Sequence, residues 1–158
     1  MTVNRNEKNR ERSPEEVVDT CRQILHHLQM DLTVSSIENG DQITVNMSGE
    51  DRPFLLSGSA SLLNSLEYLL NRIFRSGREE SAGITVDSDG YREHREAELT
   101  LLAQMASQKV ISLKKPLGLQ PMSPRERRIV HLALAEIEGV YSKSTGEGDH
   151  RSITIFPS

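Results

Sequence analysis

The stretch that decides the fold is Ser123-Pro124-Arg125-Glu126-Arg127-Arg128-Ile129-Val130-His131, because it contains the start of a helix and shows the polarity of its two sides. A serine that can cap, a proline at the first helical position and a glutamate three residues after the serine form a capping box. At about 100° per residue, the apolar side chains that follow share one arc of the helix. That arc consists of Ile129, Val130, Ala133, Leu134 and Ile137. We therefore predict an amphipathic helix from residue 123 to about residue 138.

The polar side of this helix presents a row of hydrogen-bond donors. Arg127 and His131 are four residues apart and lie just beyond the edge of the apolar arc, with Arg125 and Arg128 continuing the polar side. Guanidinium groups match phosphate oxygens, an imidazole can donate or stack on a base, and a helix N-terminus attracts phosphate. The row indicates an anion-binding face. A solvated polar face with a half-buried histidine explains the same spacing.

Charge is distributed unevenly along the chain. The 158 residues carry a formal net charge of −4, which taken as a whole does not favour nucleic acid. Residues 32–91 carry 4 basic and 9 acidic side chains, whereas residues 92–131 carry 8 basic and 4 acidic ones. A polyanionic partner, if there is one, should therefore contact residues 92–131.

The first half of the chain follows the order helix, strand, strand, short helix, helix, strand. Alternating and helical periodicities, turn residues and a capping box at Ser13 give the bounds. We predict a tail over 1–12, a helix from 13 to about 30, strands over 32–37 and 43–47 around a turn at 38–41, a helical turn over 53–56, a helix from 62 that Gly77 closes, and a strand over 84–86.

The second half is expected to combine two helices with short strands. The elements are a long helix over 91–111, an edge strand within 113–119, the helix over 123–138, and a strand pair over 140–143 and 152–156 around a mobile loop at 144–148.

No feature of the sequence predicts an enzyme. Cys21 is the single cysteine, so it forms neither an internal disulfide nor a zinc site, and it suits a reducing compartment. The glycine-containing loops lack the Gly-Lys-Ser/Thr of a P-loop, and there is no serine nucleophile elbow. No apolar run approaches the roughly 18–20 residues of a membrane span, and the first residues contain no hydrophobic signal region. We expect a cytoplasmic, non-enzymatic protein with no cofactor, no metal and no membrane insertion.

Three motifs in order carry a resemblance to a known family. They are Gly90-Tyr91-Arg92-Glu93-His94-Arg95, then Leu119-Gln120-Pro121-Met122 leading into Ser123–His131, then Ser144-Thr145-Gly146-Glu147-Gly148-Asp149-His150-Arg151. This pattern resembles the Arg-x-x-x-His ("R-three-H") domain, and more closely the C-terminal part of the bacterial Jag family, the SpoIIIJ-associated RNA-binding proteins also called KhpB. The resemblance implies an α+β protein: a tail over 1–13, a prokaryotic-type K-homology (KH) domain over 14–89, and a small α/β R-three-H domain over 90–158.

The resemblance also implies a function. It implies binding of single-stranded RNA, or single-stranded DNA, with low sequence specificity, carried by Arg127 and His131. Further contacts are expected from Arg92, Arg95, Arg125, Arg128 and Arg151. Because the chain contains only six Tyr and Phe residues and no Trp, phosphate contacts are expected to dominate over base stacking.

The sequence departs from the family at two places. A KH domain grips the nucleic-acid backbone with a Gly-x-x-Gly loop, but the aligned loop here is Ser57-Gly58-Ser59-Ala60, without glycine at either outer position and without a basic residue between them. Family members also often carry an N-terminal Jag domain on a basic linker, which we expect this chain to lack. The alternative function is therefore a protein-interaction adaptor, or a homodimer, acting through the degenerate KH-like domain.

Overall fold

The computed structural model of the protein describes residues 13–40, 42–74 and 83–158. The chain divides into two compact units, residues 1–90 and residues 91–158, which are called unit 1 and unit 2 below. Each unit combines helices with a three-stranded sheet, so the predicted α+β class is confirmed. The predicted tail up to residue 12 and the predicted helix end at Gly77 lie outside the described residues.

The first described element of unit 1 is helix α1, Pro14–His27. As predicted, Ser13 caps it, with its side-chain oxygen accepting a hydrogen bond of 3.1 Å from the backbone N–H of Glu16. The helix ends about three residues before the predicted Met30, because Leu28 is the cap residue and Gln29 takes a left-handed φ of 56°. The apolar face of α1 is buried through Val17, Val18, Cys21 and Leu25.

The sheet of unit 1 consists of strands β1 (Thr33–Asn39), β2 (Gln42–Ser48) and β3 (Ile84–Asp87), in the order β1-β2-β3. Strands β1 and β2 are antiparallel, and Asn39 pairs with Gln42, so the hairpin turns over two residues. Gly40 has a φ of 61°, which a glycine adopts without steric cost; Asp41 lies outside the described residues. Strand β3 runs parallel to β2.

Helix α2, Arg52–Ile73, is interrupted where the sequence predicts a loop. Ser57 is extended, with ψ 156°, and the next three residues all have φ between 56° and 57°. Two of these left-handed residues, Ser59 and Ala60, are not glycine. A short helical segment therefore precedes a longer helix, which matches the predicted order of elements. Ser57 stands where the Gly-x-x-Gly pattern of a KH domain has its first glycine. Its φ is an ordinary −64°, so the backbone at this position does not require glycine.

Unit 2 packs two helices against one face of its sheet. The helices are α3 (Tyr91–Leu113) and α4 (Pro124–Ala135), and the strands are β4 (Leu117–Gly118), β5 (Val140–Thr145) and β6 (Ser152–Pro157). The strand order is β4-β6-β5 and both pairings are antiparallel, so β4 is the edge strand that the sequence predicts and β5 is the other edge. The buried core contains Leu99, Ala103, Ala106, Val110, Met122, Val130, Leu134, Val140, Ile153 and Ile155.

Two predictions for unit 2 are wrong in their bounds. Helix α4 ends at Ala135 rather than near Glu138, with Glu136 as its cap residue. Strand β5 continues to Thr145, and Gly148–His150 form a 3-10 turn, so residues 144–148 are not one loop. The reason is the long antiparallel pairing with β6, in which Thr145 still faces Ser152.

Within the described ranges, none of the helices has the length and apolar character that crossing a bilayer requires.

Candidate nucleic-acid interface

The start of α4 is held by the predicted capping box. The Ser123 hydroxyl accepts a hydrogen bond of 3.3 Å from the backbone N–H of Glu126, and Glu126 Oε2 accepts one of 2.8 Å from the backbone N–H of Ser123. Both bonds satisfy N–H groups that a helix start otherwise leaves without partners. They set the first turn of α4, and with it the positions from which Arg125, Arg127 and Arg128 project.

Glu126 has a second role that places Arg95. Its other oxygen, Oε1, accepts a hydrogen bond of 2.8 Å from Arg95 Nε, and Arg95 Nη1 donates to Glu98 Oε2 at 3.1 Å. Glu126 is only 5% exposed. Burial by itself raises the pKa of Glu126, but the hydrogen bonds from Ser123 and Arg95 outweigh it and hold the pKa below its ordinary value. Arg95, which the family resemblance implies as a nucleic-acid contact, thus joins α3 to α4 with its charge compensated by two carboxylates.

Arg127 is half-buried and connected to the backbone. Its Nη1 donates a hydrogen bond of 2.7 Å to the carbonyl oxygen of Met122, just before α4 begins. The helical projection predicts that the Arg127 side chain lies just beyond the edge of the apolar arc. In the structure, the hydrogen bond to Met122 holds this side chain at the edge of the arc. The bond uses one guanidinium N–H, so the group stays available for a phosphate while it also stabilises the entry to the helix.

His131 and Arg151 meet the same strand from two different elements. His131 is exposed, and its Nδ1 shares a hydrogen bond of 2.5 Å with the hydroxyl of Ser142. Arg151 Nε donates one of 2.8 Å to the hydroxyl of Ser144. The two serines are two residues apart on β5, so they lie on one face, about 7 Å from each other. Residues 131 and 151 are therefore brought together along the edge strand β5.

The remaining basic residues predicted from the sequence lie on the two helices. Arg125 and Arg128 are exposed on α4, and neither forms a hydrogen bond or an ion pair with the residues that the structure describes. Arg92 is half-buried in the first turn of α3. The set of donors around α4 and β5, namely Arg125, Arg127, Arg128, His131 and Arg151, is called the α4–β5 surface below.

The predicted KH-type loop, residues 57–60, belongs to unit 1, and two of its polar groups are hydrogen-bonded within that unit. The Ser57 hydroxyl donates to the carbonyl oxygen of Phe54 at 2.8 Å, and the Asn64 side chain donates to the carbonyl oxygen of Ser59 at 3.3 Å. Ala60 is buried, and Gly58 carries no side chain. The basic residue that begins α2, Arg52, donates to the side-chain and backbone oxygens of Ser88, both at 3.0 Å. The loop thus presents no side-chain cation to a phosphate.

Sequence reasoning missed the two serines of β5. Alternation along the strand places Ser142 and Ser144 on one face and Tyr141 and Lys143 on the other. The sequence alone therefore indicates that the two serines share a face. Which of the two faces α4 approaches depends on the packing of the helices. Among the described residues, no group of three or more His, Cys, Asp or Glu side chains is placed to hold a metal ion.

Comparison with known families matches residues 97–157 to the R-three-H domain. The matched segment contains α4, both serines of β5 and all five donors of the α4–β5 surface.

Comparison with curated proteins finds relatives that extend over most of the chain. The RNA-binding protein KhpB of Clostridium symbiosum is 30% identical over 150 residues, covering 94% of this chain and 68% of the relative. The RNA-binding protein KhpB of Bacillus subtilis (strain 168) is 30% identical over 127 residues, covering 79% of this chain and 60% of the relative. The protein of the same name from Lactiplantibacillus plantarum is 29% identical over 112 residues, covering 71% of this chain and 35% of the relative.

Proposed function

The chain belongs to the KhpB family, and from that premise we propose that it binds single-stranded RNA through the α4–β5 surface of unit 2. The residues that carry the binding are Arg127 and His131, with Arg125, Arg128 and Arg151 as further contacts. Single-stranded DNA is the weaker ligand. The partner is recognised mainly through its phosphates, and base sequence contributes little.

The observation that supports this proposal most is the convergence of His131 and Arg151 on β5. His131, on α4, shares a hydrogen bond with Ser142, and Arg151, just before β6, donates one to Ser144. A side chain held by one hydrogen bond loses less conformational entropy when it binds a ligand, so these contacts preorganise the donors. A guanidinium and an imidazole side by side suit a phosphate-bearing strand that passes along the edge of the sheet.

Low sequence specificity follows from the type of donor. Guanidinium groups and hydroxyls that contact phosphate and sugar position a nucleic acid but carry no information about its bases. Unit 2 also contains the basic segment of the chain, with 8 basic and 4 acidic residues between positions 92 and 131. Arg95 is compensated by Glu126 and Glu98, so it adds little to the attraction, whereas Arg125 and Arg128 are exposed on α4.

Binding rather than catalysis is the proposed activity. A histidine hydrogen-bonded to a serine can act as a catalytic base that activates the serine, but this arrangement needs a third group that orients the histidine. In the part of the chain that the structure describes, no carboxylate holds His131. We also propose a cytoplasmic site of action, since Cys21 is the single cysteine of the chain and is free, which suits a reducing compartment.

Salt dependence tests the proposal on the full chain. If about three to five basic side chains contact phosphates, the logarithm of the association constant should fall with the logarithm of the salt concentration with a slope of about −2 to −3.5. Arg128→Ala should make the slope shallower by about 0.7. Lys109→Ala, which removes the same charge from α3, is the matched control and should keep the wild-type slope. A slope near zero for the wild type would remove phosphate contact as the basis of binding.

A second candidate function, contact between two copies through unit 1, is favoured by exposed apolar side chains on α2. Leu69 is 44% exposed and Ile73, one turn later, is 56% exposed. Together they form an exposed apolar stripe, which a second copy of the chain could cover. On this alternative, sedimentation equilibrium should show a concentration-dependent dimer that Leu69→Glu converts to monomer. A monomer at all concentrations would contradict the alternative, whether or not RNA binds.

A further inference from the structure

The face of the unit 2 sheet that points away from α3 and α4 is called the outer sheet face here. Alternation along β5 and β6 puts Ile153 and Ile155 into the core, where they are fully buried. The side chains on the opposite face are Tyr141, Lys143 and Thr145 of β5, and Ser152, Thr154 and Phe156 of β6. None of these six is buried.

Two aromatic rings meet on the outer sheet face. Tyr141 pairs with Phe156 in the register of β5 and β6, and their rings stack with centroids 5.2 Å apart and an angle of 13° between their planes. Tyr141 is nevertheless 45% exposed. The chain has only three Tyr and three Phe residues, so this face holds a third of its aromatic side chains. An exposed flat ring supported from behind by a second ring is a surface on which another planar group can stack.

The charge of the outer sheet face favours an anionic partner. Lys143 Nζ lies 5.5 Å from the centroid of the Tyr141 ring and 5.8 Å from that of the Phe156 ring, so the ammonium is almost equidistant from the two rings. No aspartate or glutamate occurs in β4, β5 or β6. Among the residues that the structure describes, Lys143 forms no ion pair, so the face combines a ring surface with a cation beside it. This combination matches a nucleotide, whose base is planar and whose phosphate is negative.

The outer sheet face is continuous with the α4–β5 surface along one strand. Ser142, which contacts His131, lies between Tyr141 and Lys143 in the sequence, and its side chain points to the opposite face. Because β5 is an edge strand, its free side connects the two faces without a neighbouring strand in between. A single strand of nucleic acid that crosses this edge can contact His131 on one side and Tyr141 on the other.

We propose that the outer sheet face is a base-stacking subsite for single-stranded RNA, in which Tyr141 stacks on a nucleobase, Phe156 supports the ring and Lys143 contacts the adjacent phosphate. This inference rests on the proposed function and adds to it a contact with bases. Stacking accepts every base, because each has a planar face, so the subsite is compatible with low sequence specificity.

The test compares intact and abasic RNA on the full chain. Fluorescence anisotropy is measured with a labelled oligouridylate and with an abasic ribose-phosphate oligomer of equal length. The wild type should bind the oligouridylate roughly fivefold to a hundredfold more tightly, the range for one stacked base. Tyr141→Leu should reduce this ratio to about one, whereas Tyr141→Phe should retain it. Tyr68→Leu, which replaces an exposed tyrosine of unit 1, is the matched control and should also retain it.

A tryptophan variant keeps the test independent of any loss of stability in Tyr141→Leu. The chain contains no tryptophan, so Tyr141→Trp introduces a single reporter whose emission a stacked base should quench and an abasic oligomer should not. Equal affinity of the wild type for both oligomers, or an unquenched reporter, would overturn the stacking subsite and leave the phosphate-binding proposal standing. Binding of neither oligomer would instead contradict the proposed function. If Tyr141→Leu abolished a dimer of the chain but left the ratio of the two RNA affinities unchanged, the outer sheet face would be a protein contact. That result would also overturn the subsite.

Discussion

Replacing Arg127 by alanine is expected to weaken the binding of single-stranded RNA by about tenfold to a hundredfold and to lower the melting temperature as well. A hydrogen bond between charged groups contributes roughly 1.5–3 kcal/mol, which corresponds to that loss of affinity. The effect on stability comes from the bond between Arg127 Nη1 and the carbonyl oxygen of Met122, at 2.7 Å. Losing it should cost about 1 kcal/mol, or a few degrees of melting temperature.

Variants of neighbouring residues separate the two effects of Arg127→Ala. Arg127→Lys should recover part of the affinity, because lysine keeps the charge and loses the planar fork. Arg128→Ala removes the same charge from the same helix without a described hydrogen bond, so it should weaken binding at a constant melting temperature. Affinity by anisotropy and thermal melting are measured on the same samples. Wild-type affinity in both alanine variants would show that RNA does not contact α4.

Replacing Glu126 by alanine is expected to destabilise unit 2 by about 2–3 kcal/mol. The change removes the carboxylate that caps α4 at Ser123 and that pairs with Arg95 at 2.8 Å. Breaking a buried pair costs about 3–5 kcal/mol, but Arg95 is 35% exposed, so water can solvate part of its charge and the cost is lower. Glu126→Gln should lose less, because the amide oxygen can still accept the bond from Ser123.

The contribution of the Glu126 carboxylate should also depend on pH. Its pKa in the folded protein lies below the ordinary value of 4.5, because the bonds from Ser123 and Arg95 outweigh the effect of burial. The stabilisation is therefore fully present above about pH 4.5 and is lost as the pH falls through the lowered pKa. Melting followed by circular dichroism should show the difference between wild type and Glu126→Gln shrinking below pH 4.5. A constant difference across the acid range would mean that the carboxylate charge does not stabilise the fold.

Local signals in the sequence were enough to predict most elements of the fold. The serine, proline and glutamate that begin α1 and α4 act within one helical turn, so their effect does not depend on the rest of the chain. The hairpin of unit 1 follows from alternation on both sides of a glycine-containing turn. Helix ends were less accurate, and α4 stops at Ala135, because the last turn depends on how the chain enters β5.

The partners of the charged side chains were decided by the tertiary structure. Arg95 and Glu126 are 31 residues apart, and Arg151 and Ser144 come together only because β5 pairs with β6. Helical spacing predicted that Arg127 points to a ligand, and the family resemblance implied the same for Arg95. Packing instead gives Arg95 a carboxylate partner and Arg127 a backbone carbonyl. The six scattered aromatic residues likewise indicated little stacking, but the register of β5 and β6 places Tyr141 against Phe156. The sequence by itself determined the elements and the basic helix, since both depend on neighbours within a few residues. Only the tertiary structure decided which donors remain free and which rings meet, because those contacts join distant residues through the packing of helices on a sheet.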